Sequence, residues 1–384
     1  MRQRVLVLGS TGSVGTQSLD VLAGLGESHE VVGLSAGSNA AGLSEQARRW
    51  RPAAVCLADA SREGELSLPD GCRRFLGEDG LVALLEATAP DIVVCAITGA
   101  AGLRSTLAAA QAGCRLALAN KESLVLAGHL LRAACARSGA TIVPVDSEHS
   151  AIAQCLAGQH RGSVRRLLLT ASGGPFRGRT LAELHDVTPA QALRHPSWVM
   201  GPRITVDSAT LMNKALEIIE ACQLFDVRPE QVDVVIHPQS VVHSLVEFTD
   251  GALLAQLSPP DMRLPIRYAL GGPARVPSGE GPVDLAALPG LTFERPDPDS
   301  FPCLRFGPRV AREGGLTGCI LNAANEVAVD AFLQGRLPFT ATAGVVEDAL
   351  SSFENVAEPD LPTILQADRR VRRHAESALT QLAR

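Results

Sequence analysis

The sequence has no uninterrupted apolar run approaching the ~20 residues a membrane-crossing helix needs, so no membrane partner is expected. Its first residues pass from Met1 to Arg4 straight into apolar Val5 to Leu8. That leaves no space for a basic region, a long apolar region and a cleavage site, and the expectation is a cytoplasmic protein. Nine cysteines are present without one C-x-x-C pair, which argues against a zinc site and a secreted disulfide framework; they read as small buried apolar residues. Excess positive charge is also missing. At a formal net charge of −6 and a pI near 5.9 the chain has no field for gripping nucleic acid, and any phosphorylated ligand would need local donors. Lysine itself is nearly absent: of 35 basic residues only Lys121 and Lys214 are lysines. A compact ammonium and a planar guanidinium are not interchangeable at a crowded polar site, so the two survivors draw suspicion.

What is present is enough apolar material, 46% of 384 residues, to bury a large core and two or three packed units. Strand-length apolar runs recur at Val5 to Leu8, Val31 to Leu34, Ala54 to Leu57, Ile92 to Ile97, Arg115 to Ala119 and Thr141 to Val145, with helix-like stretches between them. That rhythm predicts an α/β, Rossmann-like, doubly wound parallel sheet over residues 1–146. Further strand-like runs at Leu167 to Thr170, Asp233 to His237, His243 to Phe248 and Ala252 to Gln256 suggest an α+β catalytic domain over 147–270. Residues 271–298 have a linker's glycine, proline and acidic composition, and helical periodicity at Leu321 to Leu333 and Phe339 to Phe353 predicts a small helical domain over 299–384.

Gly9-Ser-Thr11-Gly12-Ser13-Val14-Gly15 follows a predicted strand and opens a helix, the setting in which backbone amides and a helix dipole hold a pyrophosphate. Its first spacing is wider than G-x-G-x-x-G, and glycine turns of this kind also serve packing alone. The second strand ends in Ala36-Gly37-Ser38-Asn39, with no carboxylate to repel a 2′-phosphate, so NADPH is favoured over NADH. Ser38 brings no positive charge, and Arg48, Arg49 or Arg51 are candidates to supply it.

Asp146 and Glu148 stand two apart where the sixth run ends. In an extended segment they would share a face as hard oxygen ligands for Mg²⁺ or Mn²⁺, unless Ser147 or Glu148 merely caps a helix beginning near His149. Asp207 through Glu220 reads as one helix capped by Asp207 or Ser208, with Asn213, Glu217 and Glu220 on one face. The plain alternative is a solvated polar stripe. Ser172-Gly-Gly after a strand could hold an anion or simply end the strand. His195-Pro-Ser-Trp198-Val-Met-Gly201 could be a lid over a ligand or a loop anchored in the core, and His237 and His243 could equally be satisfied structural histidines, neither of them singled out as a catalyst.

Lys121 in Asn120-Lys121-Glu122, Asp146-Ser147-Glu148, Ser172-Gly-Gly-Pro, His195-Pro-x-Trp198 and Ser208 through Glu217, in that order, resemble the 1-deoxy-D-xylulose 5-phosphate reductoisomerases across nearly the whole chain. The resemblance implies a cytoplasmic homodimer using NADPH and Mg²⁺, Mn²⁺ or Co²⁺ to make 2-C-methyl-D-erythritol 4-phosphate from a small phosphorylated sugar in the non-mevalonate route to isoprenoids. It implies Asp146, Glu148 and Glu217 as metal ligands, and Ser172, Ser208, Asn213 and Lys214 around the substrate phosphate. Lys121, Ser147 and His195 would touch substrate under Trp198. Thr11, Gly12, Ser13, Val14, Ala36, Gly37, Ser38, Asn120, Glu122, Gly201 and Met262 would contact NADPH. Three departures stand out: Ser38 where many members are basic, Ser197 for a common asparagine, and Ser258-Pro259 before Pro260-Asp261. A semialdehyde dehydrogenase would need an activated cysteine, and an NADPH sensor would have no use for three converging carboxylates.

Overall fold

The computed structural model describes residues 2–272, 275–277, 279 and 281–382. The chain forms two compact units. The first comprises residues up to Ser123, Leu130–Ser150 and Asp261–Gly281; the second comprises Leu124–His129, Ala151–Pro260 and Pro282 onward.

The first unit holds a seven-stranded sheet, every pair parallel: β1 (Gln3–Leu8), β2 (His29–Ala36), β3 (Ala54–Leu57), β4 (Arg73–Leu76), β5 (Ile92–Cys95), β6 (Arg115–Leu118) and β7 (Thr141–Pro144). The spatial order β4-β3-β2-β1-β5-β6-β7 reverses between β1 and β5, the switch point at which doubly wound sheets bind ligands. Strands buried on both faces read as continuous apolar runs, which is why the interior strands are legible in sequence, while the edge strand β7 is legible by its Ile142 and Val143 although only Pro144 is buried. The missed strand, β4, is an exposed edge whose Arg-Arg-Phe-Leu carries no apolar run. The helix Arg263–Gly271, expected in the catalytic region, buries Ile266, Ala269 and Leu270 in the first unit's core.

The second unit is built on a four-stranded sheet, β8 (Val164–Ala171), β9 (Val232–Ile236), β10 (Val242–Phe248) and β11 (Leu253–Leu257), in the order β11-β10-β8-β9. Its core includes Leu167, Leu169, Val206, Ile218 and Phe332, the last from the long helix Thr317–Leu333. The helices Thr342–Ser352 and Leu361–Leu382 complete the predicted helical portion. The expected linker over 271–298 falls partly on 273, 274, 278 and 280, which lie outside the described residues. Its later part is not a free spacer, since Glu294 makes a bridge with Ile236 at the end of β9.

Candidate active site

The glycine turn after β1 lies at the switch point. Gly9 has φ +78°, and a Cβ there would fall 2.6 Å from the Ala96 carbonyl oxygen beyond β5. One at Gly15 would fall 2.2 Å from the Gly9 carbonyl oxygen, so these glycines are needed for close backbone approach. The helix Ser13–Leu25 begins at Gly12 with no side-chain cap and no acidic residue in its first turn, leaving its amides and positive dipole end available to an anion. Val14 and Met262 both pack against the first unit's core cluster. At the end of β2, Gly37 and Ser38 are exposed, and a Cβ at Gly37 would meet nothing within 4 Å. Asn39 caps the next helix, Ala40–Trp50, by accepting from the Gly42 amide. Arg48, Arg49 and Arg51 correct a sequence expectation. They lie at that helix's far end, roughly 13 Å from its start at 1.5 Å per residue.

Asn120, buried after β6, caps the helix Lys121–Ser138 through the Ser123 amide and donates to the Gly99 carbonyl (3.0 Å) and Glu122 (2.9 Å). Buried Lys121 forms an ion pair with Asp146. Asp146 and Glu148 do not share an extended strand. β7 stops at Pro144, a helix begins at Ser147, and the Asp146 carbonyl accepts from the Ser150 amide at 2.8 Å. Glu148 thus sits in the first helical turn, where a negative charge is favoured, and accepts from Ser147 Oγ at 2.5 Å.

In the second unit, Ser172 follows β8 in a turn whose Gly173 and Gly174 have φ +83° and +65°. A Cβ at Gly174 would lie 2.9 Å from the Ser208 carbonyl oxygen, so glycine lets the two serine segments meet. His195 Nδ1 accepts from the amides of Ser197 (3.2 Å) and Trp198 (2.9 Å), which places the ring proton on Nε2, 2.9 Å from Ser172 Oγ. Ser172 Oγ also accepts from the Gly174 amide at 3.1 Å. With both lone-pair directions engaged, its O–H is left to donate outward. Trp198 meets His243 edge-on, with ring centres 6.1 Å apart, while neighbouring Val199 is 98% exposed. His237 is hydrogen-bonded to the Thr292 carbonyl and stacked on Phe293, which fits the structural of its two readings.

Asp207 and Ser208 are not helix caps, a further correction. Gly201 and Pro202 start a helix, Pro202–Thr210, that runs through both, since proline at the first turn is preset for helical φ. The chain then breaks at Leu211, φ +60°, and restarts as Met212–Phe225. Asn325 donates to Asp207 at 2.8 Å. Nor is the following helix a solvated stripe: Lys214, Glu217 and Glu220 are all buried. Lys214 Nζ donates to the Thr170 carbonyl (2.6 Å) and to Glu217 (2.5 Å), and Asn213 donates to the same carboxylate at 2.5 Å. The Thr170 carbonyl, which ties this helix to the end of β8, had no signal in sequence.

Burial pushes up all nine thiols: Cys56, Cys95, Cys222, Cys303 and Cys319 to about 12, Cys155 to about 11, and Cys72, Cys114 and Cys135 upward as well. None is an activated nucleophile, which disfavours the semialdehyde dehydrogenase alternative.

A Rossmann-type sheet with an anion-ready glycine turn, and a second unit carrying a hydroxyl and amine cluster beside buried carboxylates, define a dinucleotide-dependent enzyme class. Three models of 1-deoxy-D-xylulose 5-phosphate reductoisomerase match residues 5–128, 142–225 (C-terminal domain) and 257–374 (DXP reductoisomerase C-terminal domain). The reductoisomerase of Ectopseudomonas mendocina (strain ymp) is 52% identical over 382 residues, 96% of each chain. That of Symbiobacterium thermophilum is 51% identical over 376, covering 96% of this chain and 97% of the relative. Among solved structures, a DOX-P reductoisomerase in complex with NADPH, fosmidomycin and magnesium superposes with a TM-score of 0.94 at 40% identity, covering 99% of both chains. The Zymomonas mobilis enzyme in complex with NADPH gives 0.91, also at 40% identity and 99% of both. The chain belongs to the 1-deoxy-D-xylulose 5-phosphate reductoisomerase family.

Proposed function

We propose that the chain is an NADP-dependent oxidoreductase that rearranges and reduces 1-deoxy-D-xylulose 5-phosphate to 2-C-methyl-D-erythritol 4-phosphate in the non-mevalonate route to isoprenoids. The observation that carries this reading is the near full-length match to the family, including solved relatives that hold NADPH and magnesium.

Asp146, Glu148 and Glu217 are the ligands we assign to a divalent ion, Mg²⁺, Mn²⁺ or Co²⁺; three carboxylates are the hard oxygen donors such ions take. When bound, the ion supplies Lewis acidity toward a ketone oxygen and its neighbouring hydroxyl, and NADPH supplies hydride. The side chains do the rest. Ser172, Ser208, Asn213 and Lys214 hold the substrate phosphate, the outward Ser172 hydroxyl being oriented by His195. Lys121 stabilises negative oxygen at the reacting carbons, Ser147 and His195 contact substrate, and Glu148 moves a proton. Trp198 closes the loop over the site and excludes water.

Thr11, Gly12, Ser13 and Val14 receive the NADPH pyrophosphate, Ala36, Gly37 and Ser38 the adenosine end, Asn120, Glu122 and Gly201 also contact NADPH, and Met262 lies near the nicotinamide. In functional terms residues 1–146, joined by Asp261–Gly281 of the same compact unit, bind NADPH, the remainder of 147–270 carries catalysis, and 299–384 form the helical portion. We also infer a cytoplasmic homodimer. Leu253, Leu254 and Leu257 are exposed on β11, an edge strand, and a self-complementary partner would cover them.

The test mixes purified protein, Mg²⁺, NADPH and 1-deoxy-D-xylulose 5-phosphate, following loss of reduced-nicotinamide absorbance and identifying the product by mass. Xylulose 5-phosphate serves as the specificity control. Oxidation of NADPH that continues unchanged in chelator would sink the proposal.

A further inference from the structure

We infer that Arg62 recognises the 2′-phosphate of NADPH, an assignment that rests on the cofactor reading above. The adenosine end of a dinucleotide on this fold lies over the end of β2, where an acid marks a free ribose and a cation marks a phosphate. Here that strand ends in Ala36-Gly37-Ser38, which carries no charge. The arginines close in sequence, at 48, 49 and 51, point from the wrong end of their helix.

A different segment supplies the charge. After β3 the chain runs beside the end of β2, where the Ala36 and Gly37 carbonyls accept from the Ala58 and Asp59 amides, each at 2.9 Å. It then turns through Ala60–Glu65, with the Asp59 carboxylate capping that turn through the Ser61 amide and hydroxyl. Arg62, on this turn, donates through Nη1 to the Ser38 carbonyl at 2.7 Å. Its guanidinium is therefore fixed against Ser38, just past the end of β2, where the adenosine ribose of a dinucleotide is expected on this fold. Open space lies above neighbouring Gly37.

Two acids face the same guanidinium. Asp59 is engaged in its own turn. Glu65 accepts from Arg62 Nε (2.8 Å) and Nη2 (2.6 Å), which keeps the fork extended. Both partners of that pair are about half exposed, and such pairs are weak enough to be exchanged for a phosphate carrying close to two negative charges. Arginine's planar fork suits the exchange, because it offers parallel donors to two phosphate oxygens.

The experiment titrates the whole protein, without substrate, with NADPH and separately with NADH, reading nicotinamide fluorescence. Arg62→Gln should weaken NADPH about 10- to 100-fold, the effect of removing a charged hydrogen-bond partner, and leave NADH within about twofold. Arg62→Lys should retain part of the preference, Glu65→Gln should strengthen NADPH binding, and Arg49→Gln should change neither cofactor. If the unsubstituted protein binds NADPH no better than NADH, the cofactor reading itself falls. If it prefers NADPH and Arg62→Gln keeps that preference, only the Arg62 assignment is overturned. Equal loss of both cofactors would also overturn it, showing that Arg62 merely holds the turn.

Discussion

Lys214 and Glu217 form an ion pair of 2.5 Å across one turn of a helix, with the lysine side chain 4% and the glutamate side chain 0% exposed. Two charges so placed are tolerable only together, and the Thr170 carbonyl shares the ammonium. The pair holds Lys214 against the Thr170 carbonyl at the end of β8 and fixes the orientation of the Glu217 carboxylate.

Removing one partner should therefore be costly. Lys214→Met is expected to destabilise the protein by about 3–5 kcal/mol, with the Lys214→Met, Glu217→Gln double substitution less affected than the sum of the two singles. Chemical denaturation of the four proteins reads this; an unchanged midpoint for Lys214→Met would refute the pairing argument.

Ser172 Oγ accepts from His195 and Gly174, so its O–H is left to donate to a further acceptor. Ser172→Ala should raise KM for the sugar phosphate about tenfold, with kcat reduced less, as expected for one lost hydrogen bond to a charged group. Steady-state kinetics decides it, and an unchanged KM would remove Ser172 from the phosphate site.

Glu148 is assigned both to the metal and to proton movement. Glu148→Gln should lower kcat by about 10²- to 10⁴-fold, the usual scale for a lost acid–base group. A Glu148→Gln enzyme that still binds Mn²⁺ by calorimetry and turns over at the full rate would exclude the proton role.

Gly9 has positive φ and no space for a methyl group. Gly9→Ala should lower the melting temperature and weaken NADPH and NADH alike, in contrast to Arg62→Gln. Equilibrium titration and thermal unfolding together test this, and wild-type behaviour in both would mean the turn tolerates a side chain.

The thiols offer a pH test. Since burial raises all nine, with six near 11 or 12, the thiolate fraction stays small as pH rises from 7 to 9. The folded enzyme should keep its activity in iodoacetamide across that range. Rapid inactivation at pH 7 would reveal an activated cysteine and revive the rejected dehydrogenase reading.

The amino-acid order by itself determined the doubly wound sheet, because strands covered on both faces must be apolar throughout, and it determined the chemical types gathered at the site. It marked the two lysines by the scarcity of their kind. Tertiary structure decided matters that depend on distant segments meeting. The exposed strand β4 has no apolar signature and forms only because β3 offers it an edge. The break at Leu211 is sterically disfavoured locally, yet it lies among buried residues that hold it. Burial of Lys214, Glu217 and Glu220 turned what reads as a polar stripe into an interior cluster. Arg62 comes beside Ser38 across 24 residues through the parallel pairing of β2 and β3. Periodicity reports which face of an element is apolar, but only packing establishes which charges end up side by side.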